Sequence, residues 1–317
     1  MAKKNLILCD AFTPPAYVPR VRFLCDYLAM QGDEIELYTE QFAPINFEHS
    51  YSIHEIRIYH FEGVLGKIEW VTKSLLSLLF DYKNRYFSKQ VQRLTKNKHF
   101  DLVFCSSFHT FPLRAAYEIA QEKQIPLHID LRDIAEQWNN TSYLSKKITN
   151  SWFTKYILKE IEQVNISRRN NALQVAHTIT TISPWHQTVL QKINANTHLI
   201  YNGYDATVFY KQNTTSETFD INYTGRIYDL QFRNPNLLFE AIQQLDKEGK
   251  ITPKTTKINW YIDENAKKDL IKLCTKYKIE TYNHFYDFIP YNQIPNIIRQ
   301  ASINLILTTK ASKQGPH

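Results

Sequence analysis

The sequence predicts an α/β protein built of two facing Rossmann-like units with parallel sheets. Three observations predict it. Short apolar or β-branched runs alternate with helical patterns along most of the chain, and alternation of that kind gives parallel strands covered by helices on both faces. The alternation breaks once, around 202–218, and then restarts. The length, 317 residues, suffices for two domains of ordinary size. The predicted units are 1–202 and 203–317.

In the first unit the strand candidates are Asn5–Cys9, Glu34–Thr39, Glu55–Phe61, Leu102–Ser106, Leu127–Leu131, Thr178–Ser183 and His198–Tyr201. The opening run, Asn5–Cys9, is too short for a signal-peptide core or a membrane span and fits a first strand. Helical patterns lie between most of these runs. Phe23, Tyr27 and Leu28 form one helical face, and Leu113, Ala116 and Ile119 another. At the break, Asn202-Gly203 is a turn signal and a natural hinge, and Gln212–Ser216 is polar. The second unit follows with strands Phe219–Thr224, Lys257–Ile262, Asn283–Ile289 and Ile303–Leu307, separated by helices over 235–248, 264–277 and 291–301. Two such units place the carboxyl ends of both sheets in one cleft, which predicts a ligand between them.

Composition narrows the class. With 43% hydrophobic and 22% charged residues the chain is globular, not disordered. Four cysteines without C-x-x-C spacing predict buried, reduced thiols and a reducing, cytoplasmic compartment. No run of about 18 apolar residues predicts a membrane span. No His/Cys/Asp cluster has metal-ligand spacing, and no Asp-x-Asp is present; no cofactor and no metal is expected.

The net charge of +7 is unevenly placed. Residues 67–99 carry eight Lys and Arg against Glu69 and Asp81, and residues 145–170 carry six against Glu160 and Glu162. The remainder is net acidic. In the first segment Ile68, Val71, Leu75, Leu78, Leu79 and Tyr82 recur at helical spacing. Two readings follow: a core-packed helix with a solvated basic back, or docking of both segments to an anionic membrane surface. No nucleic-acid motif accompanies the charge, so nucleic acid is not an expected partner.

Collinear short stretches carry a family resemblance. Phe12-Thr13-Pro14-Pro15 follows the first strand, with Arg20, Leu24 and Leu28 after it. Asp101-Leu102-Val103 leads to Ser106-Ser107, and His128–Asp133 ends in Arg132-Asp133. Thr180-Thr181-Ile182-Ser183 precedes a helix, and Ile200–Asp205 with Phe209 reads as an "NG-x-D…F" signature. Tyr223-Thr224-Gly225-Arg226, Arg233-Asn234-Pro235, Glu240-Ala241 and Asp287-Phe288-Ile289-Pro290 continue the pattern. Together they resemble the retaining GT-B glycosyltransferases of family four. The resemblance implies a metal-independent transferase that moves a sugar from a nucleotide-sugar donor to a glycan or lipid-linked acceptor. It further implies cell-surface polysaccharide synthesis, peripheral on the inner face of the cell membrane. Two other readings stay open: a catalytically incomplete GT-B scaffold or partner protein, and a GT-B nucleotide-sugar epimerase.

The candidate site residues follow from the strand ends. A nucleotide-sugar diphosphate needs positive charge and backbone N–H donors at a strand-to-helix turn. Gly225 ends a strand and permits close backbone approach. Arg226 and Arg233 flank the loop into the helix starting near Pro235 and are expected to bind the diphosphate. Ile289 completes the donor-binding set by resemblance. Arg132, Asp133 and His109 are the candidates at the reacting sugar, and Arg20 the acceptor-side candidate. Two departures from the family pattern stand out. The first loop, Pro14–Pro19, contains no glycine. The chain also ends at His317, before the family's glycine, helix and paired glutamates that hold the donor's ribose and sugar. The second unit is therefore expected to be incomplete, and this form to bind donor weakly.

Overall fold

The computed structural model describes residues 2–12, 19–41, 44–45, 47–107, 110–137, 152–211, 217–227, 230 and 233–307. The chain divides into two compact units, Met1–Gly203 and Tyr204–His317. Among the described residues both sheets are wholly parallel.

In the first unit the strands are β1 (Lys4–Ala11), β2 (Glu34–Glu40), β3 (Ser52–Ile56), β4 (Leu102–Ser107), β5 (Leu127–Leu131), β6 (Thr178–Thr181) and β7 (Thr197–Leu199). They lie in the order β3-β2-β1-β4-β5-β6-β7. The helices are α1 (Pro19–Met30), α2 (Gly63–Phe80), α3 (Tyr82–Thr95), α4 (Leu113–Lys123), α5 (Trp152–Val175) and α6 (Pro184–Leu190). Strand side chains alternate between faces, and β1 shows the result. Leu6 and Leu8 enter a core with Phe87 and Val91 of α3, Ala116 and Ile119 of α4, and Leu173 of α5. Ile7 and Cys9 enter the opposite core with Val21 and Cys25 of α1 and Leu37 of β2. A strand buried on both faces must read as a continuous apolar run, which is what Leu6–Cys9 does.

The second unit repeats the plan with β8 (Phe219–Thr224), β9 (Thr256–Tyr261), β10 (Asn283–Tyr286) and β11 (Ile303–Asn304), in the order β10-β9-β8-β11. Helices α7 (Asn236–Lys247), α8 (Glu264–Tyr277) and α9 (Ile294–Gln300) alternate with the strands. Trp260, fully buried, anchors the core against Phe239 and Tyr223. Its indole N–H donates to Asn283 Oδ1 at 2.7 Å, as a buried donor requires. All four cysteines are free and buried, and burial pushes the Cys9 thiol up to about 12.

Four expectations need correction. First, the buried face of α1 runs through Val21 and Cys25, with Leu28 partly buried, whereas Phe23 and Tyr27 are exposed. Second, β3 covers Ser52–Ile56, earlier than Glu55–Phe61. The groups that would extend its ladder go elsewhere: the N–H groups of His60 and Phe61 donate to Glu69, and Ile58 O accepts from Lys73. Third, α2 is not packed through its apolar residues; Ile68, Val71, Leu75, Leu78 and Leu79 are all exposed. Fourth, one charge of the second basic segment does not face solvent. Arg169 is buried and donates to both oxygens of Glu136, at 2.6 and 2.7 Å, so its charge is internally paired. Lys146 and Lys147 lie outside the described residues.

Candidate functional site

In an open parallel sheet, ligands bind beyond the carboxyl ends of the strands, where the strand order reverses. In the first unit that point lies between β1 and β4. β1 ends there in Asp10-Ala11, β4 in Ser106-Ser107, and the neighbouring β5 in Asp130-Leu131 followed by Arg132-Asp133. His109, two residues past β4, lies outside the described residues.

Asp130 is the hub of this edge and is almost wholly buried. Its carboxylate accepts from Arg20 at 2.7 Å, from Thr180 Oγ1 at 2.8 Å and from Ser106 Oγ at 3.0 Å. A buried carboxylate is tolerable only when paired and hydrogen-bonded in this way. Arg20 stands in the first turn of α1 and reaches further, donating to Asn202 Oδ1 at 2.9 Å and to Ile200 O at 3.3 Å. The expected acceptor-side arginine therefore ties α1 to β5 and to the Asn202-Gly203 turn. Arg132 donates to Asp10, joining the ends of β5 and β1. Its backbone N–H bonds Ser107 O at 3.2 Å, and Asp133 follows it in a half-buried position.

In the second unit the strand order reverses between β8 and β11. Gly225 follows β8 directly, with φ 159°, which L residues rarely adopt. Arg233 donates to Arg226 O and, at 3.3 Å, to Tyr223 Oη. Tyr223 Oη also donates to Arg226 O, at 3.1 Å. The Arg226 guanidinium lies 5.7 Å from the centroid of the Phe288 ring. Ile289, next along the chain, is half-buried. Gly225, Arg226 and Arg233 thus stand at the end of β8, in the stretch leading into α7, whereas Ile289 follows β10 and is linked to them only through its neighbour Phe288. That helix begins at Asn236, one residue after Pro235, and the Asn236 N–H is bonded by Asn234 Oδ1 at 2.8 Å. A strand-end glycine followed by two arginines in the stretch leading into a helix amino terminus is suited to an anion.

Sequence reasoning missed Asp10, Ser106, Asp130, Thr180 and Asn202 as participants. One signal was present. Asp130 interrupts the apolar run Leu127–Leu131, and a charge inside a buried strand demands partners. A separate polar cavity of about 200 Å³ lies among α3, α4 and α5, lined by Asp81, Asn84, Arg114, Glu118 and Arg168 among others. It holds none of the predicted site residues, and Arg114 is paired there with Asp81 and Glu118. Among the described residues, no three His, Cys, Asp or Glu side chains come together as a metal site.

The two parallel units with these strand orders define the GT-B fold of glycosyltransferases. A sucrose-phosphate synthase from Thermosynechococcus elongatus superposes with a TM-score of 0.61 at 13% identity, over 95% of this chain and 75% of that one. A structure from E. coli described as trehalose-6-phosphate bound with UDP-2-fluoro glucose gives 0.56 at 10% identity, over 96% and 78%. The apo lipopolysaccharide outer core galactosyltransferase WaaB gives 0.52 at 11% identity, over 96% and 74%. No family model and no curated protein matches the sequence.

Proposed function

We propose that this protein is a retaining glycosyltransferase that moves a hexosyl group from a nucleotide sugar to a glycan or lipid-linked acceptor in cell-surface polysaccharide synthesis. The observation that carries the reading is the grouping of Gly225, Arg226 and Arg233 at the reversal point of the second sheet, beside the start of α7. Arg226 and Arg233 would neutralise the diphosphate as the glycosidic bond breaks, a role that requires no metal. Hydrogen bonding of Arg233 to Arg226 O and Tyr223 Oη limits its rotation, so less entropy is lost when it meets the phosphate. In the first unit, Arg132 and Asp133 would orient the acceptor or stabilise charge at the reacting sugar, with His109 a third candidate by its sequence position after β4. Arg20 acts by positioning, through Asp130 and Asn202. A cytoplasmic location, peripheral on the inner membrane face, belongs to the same reading.

Calorimetric titration with UDP-glucose, UDP-galactose, GDP-mannose and ADP-glucose tests the donor site. Arg226→Ala or Arg233→Ala removes a charge-assisted contact worth roughly 1.5–3 kcal/mol, so affinity for the preferred donor should fall about ten- to a hundredfold. Unchanged affinity in both variants would remove the arginines from the site.

A further inference from the structure

Helix α2 is built inside out. A surface helix normally turns its apolar stripe to the protein and its polar stripe to water. In α2 the inward stripe is Gly66, Glu69, Lys73 and Ser77, and Glu69 is its buried residue. Glu69 accepts from the N–H groups of His60 and Phe61 at 2.7 and 2.9 Å and from Lys73 Nζ at 2.6 Å. Lys73 also donates to Ile58 O at 2.7 Å, and Ser77 Oγ accepts from the Lys83 N–H at 3.2 Å. These bonds fix the rotation of the helix. On the opposite side stand Val64, Ile68, Val71, Leu75 and Leu79, each between 49% and 74% exposed. The spacing 64, 68, 71, 75, 79 is one helical face, and the 18-residue helix is about 27 Å long. Such a patch on a protein marks an interaction surface.

The neighbouring helix supplies the charge. α3 follows α2 after the single left-handed residue Asp81 and buries Asn84, Phe87, Ser88, Val91 and Thr95. Its exposed positions Arg85, Lys89 and Arg93, with Lys96 just past its end, form a basic stripe at helical spacing. Among the described residues no helix is long and apolar enough to cross a membrane. An apolar helix face held outward beside a row of cations has the chemistry of an element lying in a bilayer interface. Anionic headgroups neutralise the stripe, whereas a two-fold contact between copies would bring two such stripes together.

We propose that α2 inserts its apolar face at the headgroup–acyl boundary of an anionic bilayer, with the α3 stripe against the headgroups. The proposal deepens the membrane part of the proposed function and does not depend on sugar transfer. Vesicle binding without transfer defeats the transferase reading alone, and transfer without vesicle binding defeats this one alone.

The test uses the full chain and phosphatidylcholine vesicles with and without phosphatidylglycerol. Wild type should sediment with the anionic vesicles, and brominated lipid should quench the fluorescence that Ile68→Trp adds. Val71→Asp with Leu75→Asp, both at exposed positions, should leave the circular dichroism spectrum unchanged and lower partitioning about tenfold or more. Arg85→Ala with Lys89→Ala should lower it about thirtyfold at low salt, and the difference should vanish at high salt. Absence of binding, absence of quenching in Ile68→Trp, or full binding by the Asp variant would overturn the proposal. Self-association that the Asp variant abolishes, with no vesicle binding, would instead make the face a contact between copies.

Discussion

Asp130 shows how a single side chain organises the carboxyl edge of the first sheet. It is buried and holds Arg20, Thr180 and Ser106, so three elements meet on one carboxylate. Removing one member of a buried ion pair leaves the other uncompensated, at a cost of about 3–5 kcal/mol. Because the Arg20 side chain keeps some solvent contact, Asp130→Ala should fall at the lower end of that range. Urea denaturation measures it, and a midpoint equal to wild type would show that Arg20 and the two hydroxyls are satisfied without the carboxylate. Trp260 makes the same point in the second unit. Asn283→Ala strips the partner from a buried indole N–H, and should cost roughly 1–3 kcal/mol by the same assay. Neither pairing was legible in the sequence. Arg20 and Asp130 stand 110 positions apart, and nothing local to either names the other. What was legible was the placement of Arg132-Asp133 and of Gly225-Arg226 at strand ends, because strand runs and their termination are local signals.

At the scale of elements, periodicity showed that α2 has an apolar face but not which way that face points. Direction depends on the inward residues, and here a carboxylate decides it. A hydrogen bond from Lys73 is the largest cause holding the Glu69 carboxyl down at about 2, against an ordinary 4.5, and the His60 and Phe61 N–H groups add to it. The folded pKa lies below the unfolded one. The stabilisation is therefore fully present above pH 4.5 and is lost as pH falls toward about 2. Wild type should accordingly lose thermal stability over that interval, and Glu69→Gln should show a flatter profile across it. Parallel profiles would mean that Glu69 does not anchor the helix. The misplaced end of β3 has the same origin: Glu69 and Lys73 take the backbone groups of 58–61 that a longer strand would have used. The strands buried on both faces, β1, β4 and β5, were the easiest to read, since their apolar runs have no second interpretation of comparable length.

At the scale of the whole molecule, two units share one strand plan. In each, three strands run in reverse chain order and the next turns back beside the first: β3-β2-β1-β4 and β10-β9-β8-β11. The reversal point of each sheet carries polar and charged residues at its strand ends. Asp10 and Ser106 mark the first, and Arg226 and Arg233 stand close by Gly225 at the second. That both sheets are parallel was legible from alternation alone, because βαβ crossovers generate parallel strands, whereas the strand order was not. The identity of donor and acceptor was not legible, since it depends on contacts made by side chains from separate elements. The most direct test of the central claim is a transfer assay with the nucleotide-sugar panel and candidate glycan and lipid-linked acceptors, read by product structure. The account predicts release of nucleoside diphosphate only when acceptor is present, with a product whose new linkage keeps the anomeric configuration of the donor. An epimerised nucleotide sugar as the product, an inverted linkage, or no turnover with any donor would contradict it.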